Sequence, residues 1–395
     1  MTLRFAHRMS VTPKSFIMEL ISICQDPGII SFASGLPDID LIPMETICKA
    51  TCDLLSTEDG RTALQYNITE GYPPLREFIA QRYKRRLDLD VDPENMIMVN
   101  GSQQCFDLMG KVMLDPGSPM IIERPGYLGA VQSFCLFEPS FHFVDLHEDG
   151  PDVSALEALV REREPRLFYS VPNSQNPMGV TYSAQSREEV ASIVDGSGTV
   201  VLEDDAYGEL SFDAPPPAPL ASLAPDNVVL SGSFSKVFSP GMRTGWMVGP
   251  EEVMKRIITA KEALDLHSNY LSQRIIYQWL KDNDIDDQIE RINREYRKKR
   301  DLMLRLLDET MPEGVSHTHP KGGLFIWITL PRGSTMELFR RALEMKVAIM
   351  PGPPFYAGGG GELGARLNFS TSSREEIEEG VAKLSEVTRE YLSSL

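Results

Sequence analysis

The sequence is poor in cysteine and poor in positive charge. Its five cysteines, Cys24, Cys48, Cys52, Cys105 and Cys135, show no CxxC spacing. The odd count leaves at least one thiol unpaired, and no second cysteine pair or histidine cluster completes a zinc pattern. Small buried thiols in a reducing compartment are the expectation. Lys plus Arg number 39 against 57 Asp plus Glu, a formal charge of −18. Nucleic acid and anionic membrane surfaces would repel such a chain, so neither is an expected partner. No uninterrupted apolar run reaches the ~18–20 residues of a membrane helix. No apolar stretch of signal-peptide length follows MTLRFAHRMS, and a cytoplasmic protein is expected. Internal repeats and low-complexity tracts are absent; the most proline-rich patch, APPPAP at 214–219, reads as a surface loop. The paired His317 and His319 have no carboxylate or cysteine near them at metal-ligand spacing, so no metal is expected.

What is present is enough apolar side chain, 42%, for a sizeable core, in a chain long enough for two or three domains. Helix and strand patterns alternate through the middle. Helices are predicted at about 101–114, 127–137, 152–163 and 183–195, the last with Ser183 as N-cap. Strands are predicted at 119–123, 141–145, 167–171, 199–203, 228–231 and 245–248. This alternation predicts an α/β fold, a mostly parallel sheet covered by helices on both faces. From about 283 a long charged helix is followed by strand, helix, strand, helix, which suggests a smaller α+β domain. The first ~45 residues show weak regularity. The expected division is an N-terminal segment (1–45) packing on the small domain and active site, a large domain (46–285) and a small C-terminal domain (286–395).

In such sheets ligands collect beyond the strand C-termini. Three strand ends lead into polar runs. Lys236 stands in GSFSKVFSPGMRTGW, where Ser233, Ser235 and Arg243 gather hydroxyls and a guanidinium that suit phosphate. A lysine beside a phosphate cradle suggests a Schiff base with a phosphorylated aldehyde. In the run Asp204-Asp205-Ala206-Tyr207 a carboxylate at a strand end can pair with a pyridinium nitrogen. Asn176-Pro177 can hold an amide in a turn, where it could donate to a phenolate oxygen. Gly101-Ser102-Gln103 opens a helix whose free N–H groups suit phosphate. Tyr127 could stack on an aromatic ring. Taken singly, each of these has an ordinary structural reading as loop, cap or core; in this order they form a pattern.

That pattern resembles the fold-type I pyridoxal-phosphate enzymes of the class I/II aminotransferase superfamily. It is nearest to the 2-aminoadipate/kynurenine branch, which shares its core with the effector domain of MocR-like regulators. The resemblance is carried by ISFASGLPD (30–38), LQYNITEGYPPLREFI (64–79), NGSQQ (100–104), RPGYLGA (124–130), NSQNPMG (173–179), EDDAYGEL (203–210), SFSKVFSPGMRTGW (233–246) and ARLNFS (365–370). It implies a large cofactor domain built as a three-layer sandwich. It also implies that Lys236 forms the Schiff base and moves the substrate's α-proton, and that Asp204 pairs with the pyridine nitrogen. Tyr207 and Asn176 would bond the cofactor's 3-oxygen, and Tyr127 would stack on its ring. Ser102, Gln103, Ser233, Ser235 and Arg243 would hold its phosphate. Tyr66 would reach that phosphate from a partner subunit, which implies a homodimer with shared sites. Arg366 would clamp the substrate α-carboxylate, with Gly35 lining the approach and Asn173 as a second contact.

The implied reaction is transamination between an α-amino acid and a 2-oxo acid, with 2-oxoglutarate the expected acceptor, by ping-pong chemistry. A lyase, decarboxylase or oxidase using the same cofactor is the enzymatic alternative. A ligand-sensing regulatory domain is disfavoured: the motifs begin near residue 30, which leaves no room for a basic DNA-binding module. In this branch residues 11–42 help close over the substrate side chain. Lys14 is the only cation between Arg8 and Lys49, and 16–21 reads FIMELI. A distal carboxylate would want a cation there. An aliphatic or aromatic amino acid is therefore expected over aspartate or 2-aminoadipate. The glycine run 358–361 and the segment 351–354 read as loops around the small-domain strands.

Overall fold

The computed structural model describes residues 3–12, 16, 26 and 28–395. Lys14, Cys24 and the helix-like 17–21 lie outside the described residues. An eight-stranded sheet forms the centre of the large domain. Its order is Met96–Val99, Gly245–Val248, Val228–Ser233, Val200–Asp205, Leu167–Ser170, Pro119–Arg124, Ser140–His147 and Gly150–Pro151. The five strands from Val228–Ser233 to Ser140–His147 run parallel. The helical patterns of the sequence become the crossovers between them. Asp152 caps the helix Val153–Arg163 and Ser183 caps Ala184–Val194, each accepting a hydrogen bond from an N–H in the first turn.

The period-2 alternation of these strands sorts their side chains onto two faces. Ile121, Phe168, Val201 and Val228 join the core beneath the helices Val153–Arg163 and Ala184–Val194. Their neighbours Ile122, Tyr169, Leu202 and Val229 join the main core with Phe106, Met109 and Phe134 from Ser102–Met113 and Leu128–Cys135. Extended two residues past Leu202, the same alternation sends Asp204 to the face of Tyr169, and Glu203 to the opposite one.

One end of the sheet reverses. Gly245–Val248 is antiparallel to Val228–Ser233, and Met96–Val99 is antiparallel to Gly245–Val248. Between Ser233 and Gly245 the chain forms only one short 3-10 turn, Pro240–Met242. Such a connection is too short for a parallel crossover, so the chain doubles back. The doubled-back loop is the one that carries Lys236.

The small domain holds an antiparallel sheet in the order Ser316–His317, Phe325–Thr329, Gly364–Asn368, Met350–Pro351. The long helix Ile285–Thr310 packs with the C-terminal helix Arg374–Ser393. A capping box starts the latter: Ser373 accepts from the Glu376 N–H, and Glu376 accepts from the Ser373 N–H. The N-terminal segment contributes a two-residue strand, Ile30–Ser31, parallel to Val347–Ala348. Phe32 follows it fully buried. Phe16 meets Phe339 of the small domain with ring centroids 6.4 Å apart. Cys105 is buried as expected for a structural thiol, but Cys48 and Cys52 are exposed on the helix Met44–Leu55. That helix buries Ile47, Ala50 and Leu54 instead, and the thiols lie off this stripe.

Candidate active site

The strand ends converge as their polarity suggested. One crevice is lined by Ser102, Gln103, Tyr127, Asn176, Asp204, Tyr207, Ser233, Ser235, Lys236 and Arg243, with Tyr169 and Val171 behind them. Asp204 is fully buried. Its Oδ2 accepts from the Tyr169 hydroxyl at 2.9 Å and its Oδ1 from the Ser231 hydroxyl at 3.1 Å. Burial raises its pKa to about 6, and the Tyr169, Ser231 and Ser102 hydroxyls oppose that rise. A buried carboxylate with no cationic side chain bonded to it is suited to a cationic ring N–H.

Lys236 donates from Nζ to the Gly35 carbonyl at 2.9 Å. Burial lowers its pKa to about 8, helped by the like charges of Arg366 and Arg243, while Asp204 pulls the other way. A lysine so placed offers a neutral amine near neutral pH and can act as nucleophile and base. Asn176 sits between two groups. Its Nδ2 lies 3.5 Å from the Tyr207 hydroxyl, and its Oδ1 accepts from Arg366 Nη1 at 2.9 Å. Burial raises the phenol pKa values of Tyr207 and Tyr127.

Arg366 is buried on the strand Gly364–Asn368. Its Nη2 donates to the Ala33 carbonyl at 2.8 Å, and its plane stacks over Phe325 with 4.3 Å to the ring centroid. Burial brings its pKa down to about 10. Its Nε is buried with no partner. A buried guanidinium with donor capacity to spare fits an incoming carboxylate. A Cβ on Gly35 would meet the Phe325 ring and the Arg366 guanidinium at 3.6–4.0 Å, so this glycine borders the same space.

The phosphate end is built from backbone. The helix Ser102–Met113 starts at Gly101, which has no side chain to cap it, so the first N–H groups stay available to an anion. Gly101 has φ +77, and a Cβ there would fall 2.6 Å from Arg243 Nη2. Arg243 itself is in the left-handed region, with Nη2 on the Asn100 carbonyl at 2.8 Å. Ser233 and Ser235 face each other at 2.9 Å between hydroxyls. The uncapped helix start, two hydroxyls and a guanidinium fit a phosphate, and Asp204 fits the far end of a pyridine ring.

Two residues depart from the sequence reading. Asn173 does not line the crevice and bonds elsewhere: its Nδ2 donates to Asp205 at 2.8 Å and its Oδ1 accepts from Arg187 Nη2 at 2.5 Å. The amide oxygen and one Nδ2 proton are engaged there, and Asn176 occupies the place beside Arg366. The Gln103 side chain bonds the Gly129 carbonyl and the Ser133 hydroxyl, which leaves its backbone N–H for an anion. Tyr66, expected to serve a partner subunit's site, does not line this chain's own crevice; it is 77% exposed and meets His267 edge-on at 5.9 Å. Sequence reasoning missed Tyr169, Ser231 and Phe325. Only the cross-strand register, Tyr169 opposite Leu202 and Ser231 opposite Asp204, would have found the first two.

A crevice lysine, a buried carboxylate and an anion cradle at the C-terminal edge of a mostly parallel sheet fit the site of a fold-type I pyridoxal-phosphate enzyme. The family model "Aminotransferase class I and II" matches residues 27–384, and the chain belongs to that family. It is a pyridoxal-phosphate-dependent aminotransferase. The chain is 44% identical over 384 residues to the 2-aminoadipate transaminase of Thermus thermophilus, covering 96% of this chain and 95% of that one. It is 34% identical over 385 residues to aromatic-amino-acid aminotransferase 1 of Thermococcus litoralis, covering 96% and 92%. Among solved structures it resembles the α-aminoadipate aminotransferase of Thermus thermophilus complexed with N-(5'-phosphopyridoxyl)-L-leucine. There the TM-score is 0.92 at 42% identity, over 99% of this chain and 98% of that chain. Among the described residues no helix is long and apolar enough to cross a membrane.

Proposed function

We propose that the enzyme moves the α-amino group of an aliphatic or aromatic amino acid to a 2-oxo acid, with 2-oxoglutarate as acceptor, in ping-pong half-reactions. The observation that carries this reading is the meeting of Lys236, Asp204 and Arg366 around one buried crevice. When bound, pyridoxal phosphate supplies the aldehyde and the conjugated ring that accepts the electrons of the Cα–H bond. The protein supplies the rest. Arg366, steadied by Asn176 and the Ala33 carbonyl, grips the α-carboxylate and fixes which substituent of Cα faces Lys236. Lys236 takes the proton from Cα as a neutral amine. Its conjugate acid is then the general acid in reach for returning that proton at the neighbouring carbon. Asp204 holds positive charge at the ring nitrogen. The buried walls keep water off the carbanion-forming centre.

Two observations support the apolar donor. The Arg366 guanidinium is bordered by the Phe325 and Phe355 rings. The similar Thermus structure is complexed with a leucine adduct. The subunits act as a homodimer in which Tyr66 of each protomer completes the other's phosphate site. The strong exposure of Tyr66, beside the exposed Leu64, Ile68, Leu264 and Leu266, supports this.

Single-turnover mixing of the holoenzyme with leucine, phenylalanine, glutamate and 2-aminoadipate tests the reading. The cofactor's visible band should fall, with one equivalent of the matching 2-oxo acid released, and the band should return on adding 2-oxoglutarate. Release of ammonia or carbon dioxide instead would overturn transamination. A marked preference for 2-aminoadipate over leucine and phenylalanine would overturn the donor class.

A further inference from the structure

We propose that Asp308, His317 and His319 form a binding site for a divalent transition-metal ion, outside the cofactor crevice. In the sequence the two histidines have no carboxylate at ligand spacing; the fold brings one. Asp308 comes from the last turns of Ile285–Thr310, and the chain returns through Ser316–His317 against it. One ligand atom from each residue lies within 4.8 Å of the other two. Two residues apart on extended chain, His317 and His319 point the same way. Their rings stand 4.8 Å apart at 39°.

The hydrogen-bond geometry of His317 points to a cation. Its Nδ1 lies 3.3 Å from the Thr318 carbonyl oxygen, which can only accept, so a tautomer with the proton on Nδ1 bonds that carbonyl. In the neutral ring Nε2 then carries a lone pair. That lone pair faces Asp308 Oδ1 at 3.0 Å, acceptor against acceptor. In that tautomer something positive fits between them, either a second ring proton or a metal. A proton needs only these two partners, whereas a third donor, His319, has a ligand atom within 4.8 Å of both. An Nδ1–H held by a backbone carbonyl is also the outer contact that metal-bound imidazoles commonly keep. Two imidazoles and one carboxylate suit zinc, cobalt or nickel rather than magnesium or calcium. Asp308 and His319 are exposed, so water can complete the shell.

The site would tie the end of the long helix to a segment that borders the catalytic loop. The Thr318 hydroxyl donates to the Met178 carbonyl at 2.9 Å, and a Cβ on Gly179 would fall 2.9 Å from the Pro320 side chain. Asn176 lies on that same loop. A bound metal therefore stiffens the small domain where it abuts the active site.

The test uses tag-free holoenzyme in a Cys48→Ser/Cys52→Ser background, which removes the exposed thiols as competing ligands. Zinc is titrated calorimetrically and cobalt by its visible absorption. The expected result is one equivalent per chain, a thermal midpoint that climbs with zinc concentration, and affinity about tenfold or more weaker in both Asp308→Asn and His319→Ala. Both variants should keep the cofactor's visible band, which shows that they are folded. No saturable binding at pH 8, or binding that both variants leave unchanged, overturns the proposal.

Discussion

Lys236 and Arg366 show how burial makes ordinary side chains reactive or selective. The Lys236 ammonium loses hydration in the crevice and meets two like charges, so its proton is held weakly and its pKa falls to about 8. The sign is that of a depressed amine: the neutral, nucleophilic form grows as pH rises through about 8. Cofactor-free enzyme should therefore capture pyridoxal phosphate faster at pH 9 than at pH 7. Stopped-flow absorbance at fixed cofactor concentration measures this, and a flat profile would show that the amine is already neutral. Lys236→Ala should leave no covalent cofactor and no turnover. In the proposed site Arg366 would bond the substrate carboxylate through charge-assisted hydrogen bonds, each worth about 1.5–3 kcal/mol. Arg366→Ala should lower kcat/KM for the donor by about 10- to 100-fold. The loss should appear in KM, from the lost grip, and in kcat, from the lost orientation of Cα toward Lys236. Asn173→Ala, by contrast, leaves the carboxylate grip intact and frees Asp205 and Arg187. It should lower thermal stability before it raises KM.

At the scale of elements, the start of the helix Ser102–Met113 is the point where backbone geometry and chemistry coincide. Gly101 permits φ +77 and leaves room for the Arg243 guanidinium. Gly101→Ala adds a methyl that pushes Arg243 from the mouth of the helix and strains the backbone. Cofactor affinity should fall about tenfold, measured by equilibrium dialysis, with the fold's circular dichroism preserved. Most of these elements were legible in the sequence because their faces are regular. Apolar period and caps at Asp152 and Ser183 placed the crossover helices, and buried runs such as VVLE placed the strands. The reversal at Gly245–Val248 is implied only by the shortness of the loop before it. The pairing of Ile30–Ser31 with Val347–Ala348 joins segments with too few residues to show any period. The crevice residues Lys236, Asp204 and Asn176 stood in local motifs, so their convergence was readable. Tyr169, Ser231 and Asp308 were not, because each acts on a partner that only sheet register or a chain return brings near. Asn173 misled for the same reason: its partners Asp205 and Arg187 come from elsewhere in the chain.

The whole molecule carries a charge of −18, yet the groups facing the crevice include Lys236, Arg243 and Arg366. The acidity belongs to the outer surface, and an anionic substrate is drawn by the local field of the site rather than by the net charge. Tyr66 lies outside the crevice lining: it is 77% exposed and meets His267 edge-on. If the protomer worked alone, Tyr66 could be replaced without consequence. In a two-fold dimer the same surface meets itself, and one residue per protomer can cross into the neighbour's site. A hydrogen bond from the Tyr66 hydroxyl to a phosphate dianion is worth about 1.5–3 kcal/mol, or roughly tenfold or more in affinity. Tyr66→Ala should therefore lose cofactor on dialysis much faster than the native enzyme, although no atom of its own crevice has changed. Lys236→Ala keeps an intact Tyr66 but cannot react. Mixing the two variants and letting subunits exchange forms mixed dimers in which one of the two sites has both groups. With random exchange about a quarter of all sites regain native composition. Turnover at limiting cofactor should rise above that of either variant toward that fraction. A mixture no more active than its components, or a chain that sediments as a monomer at working concentration, would place Tyr66 outside the catalytic unit.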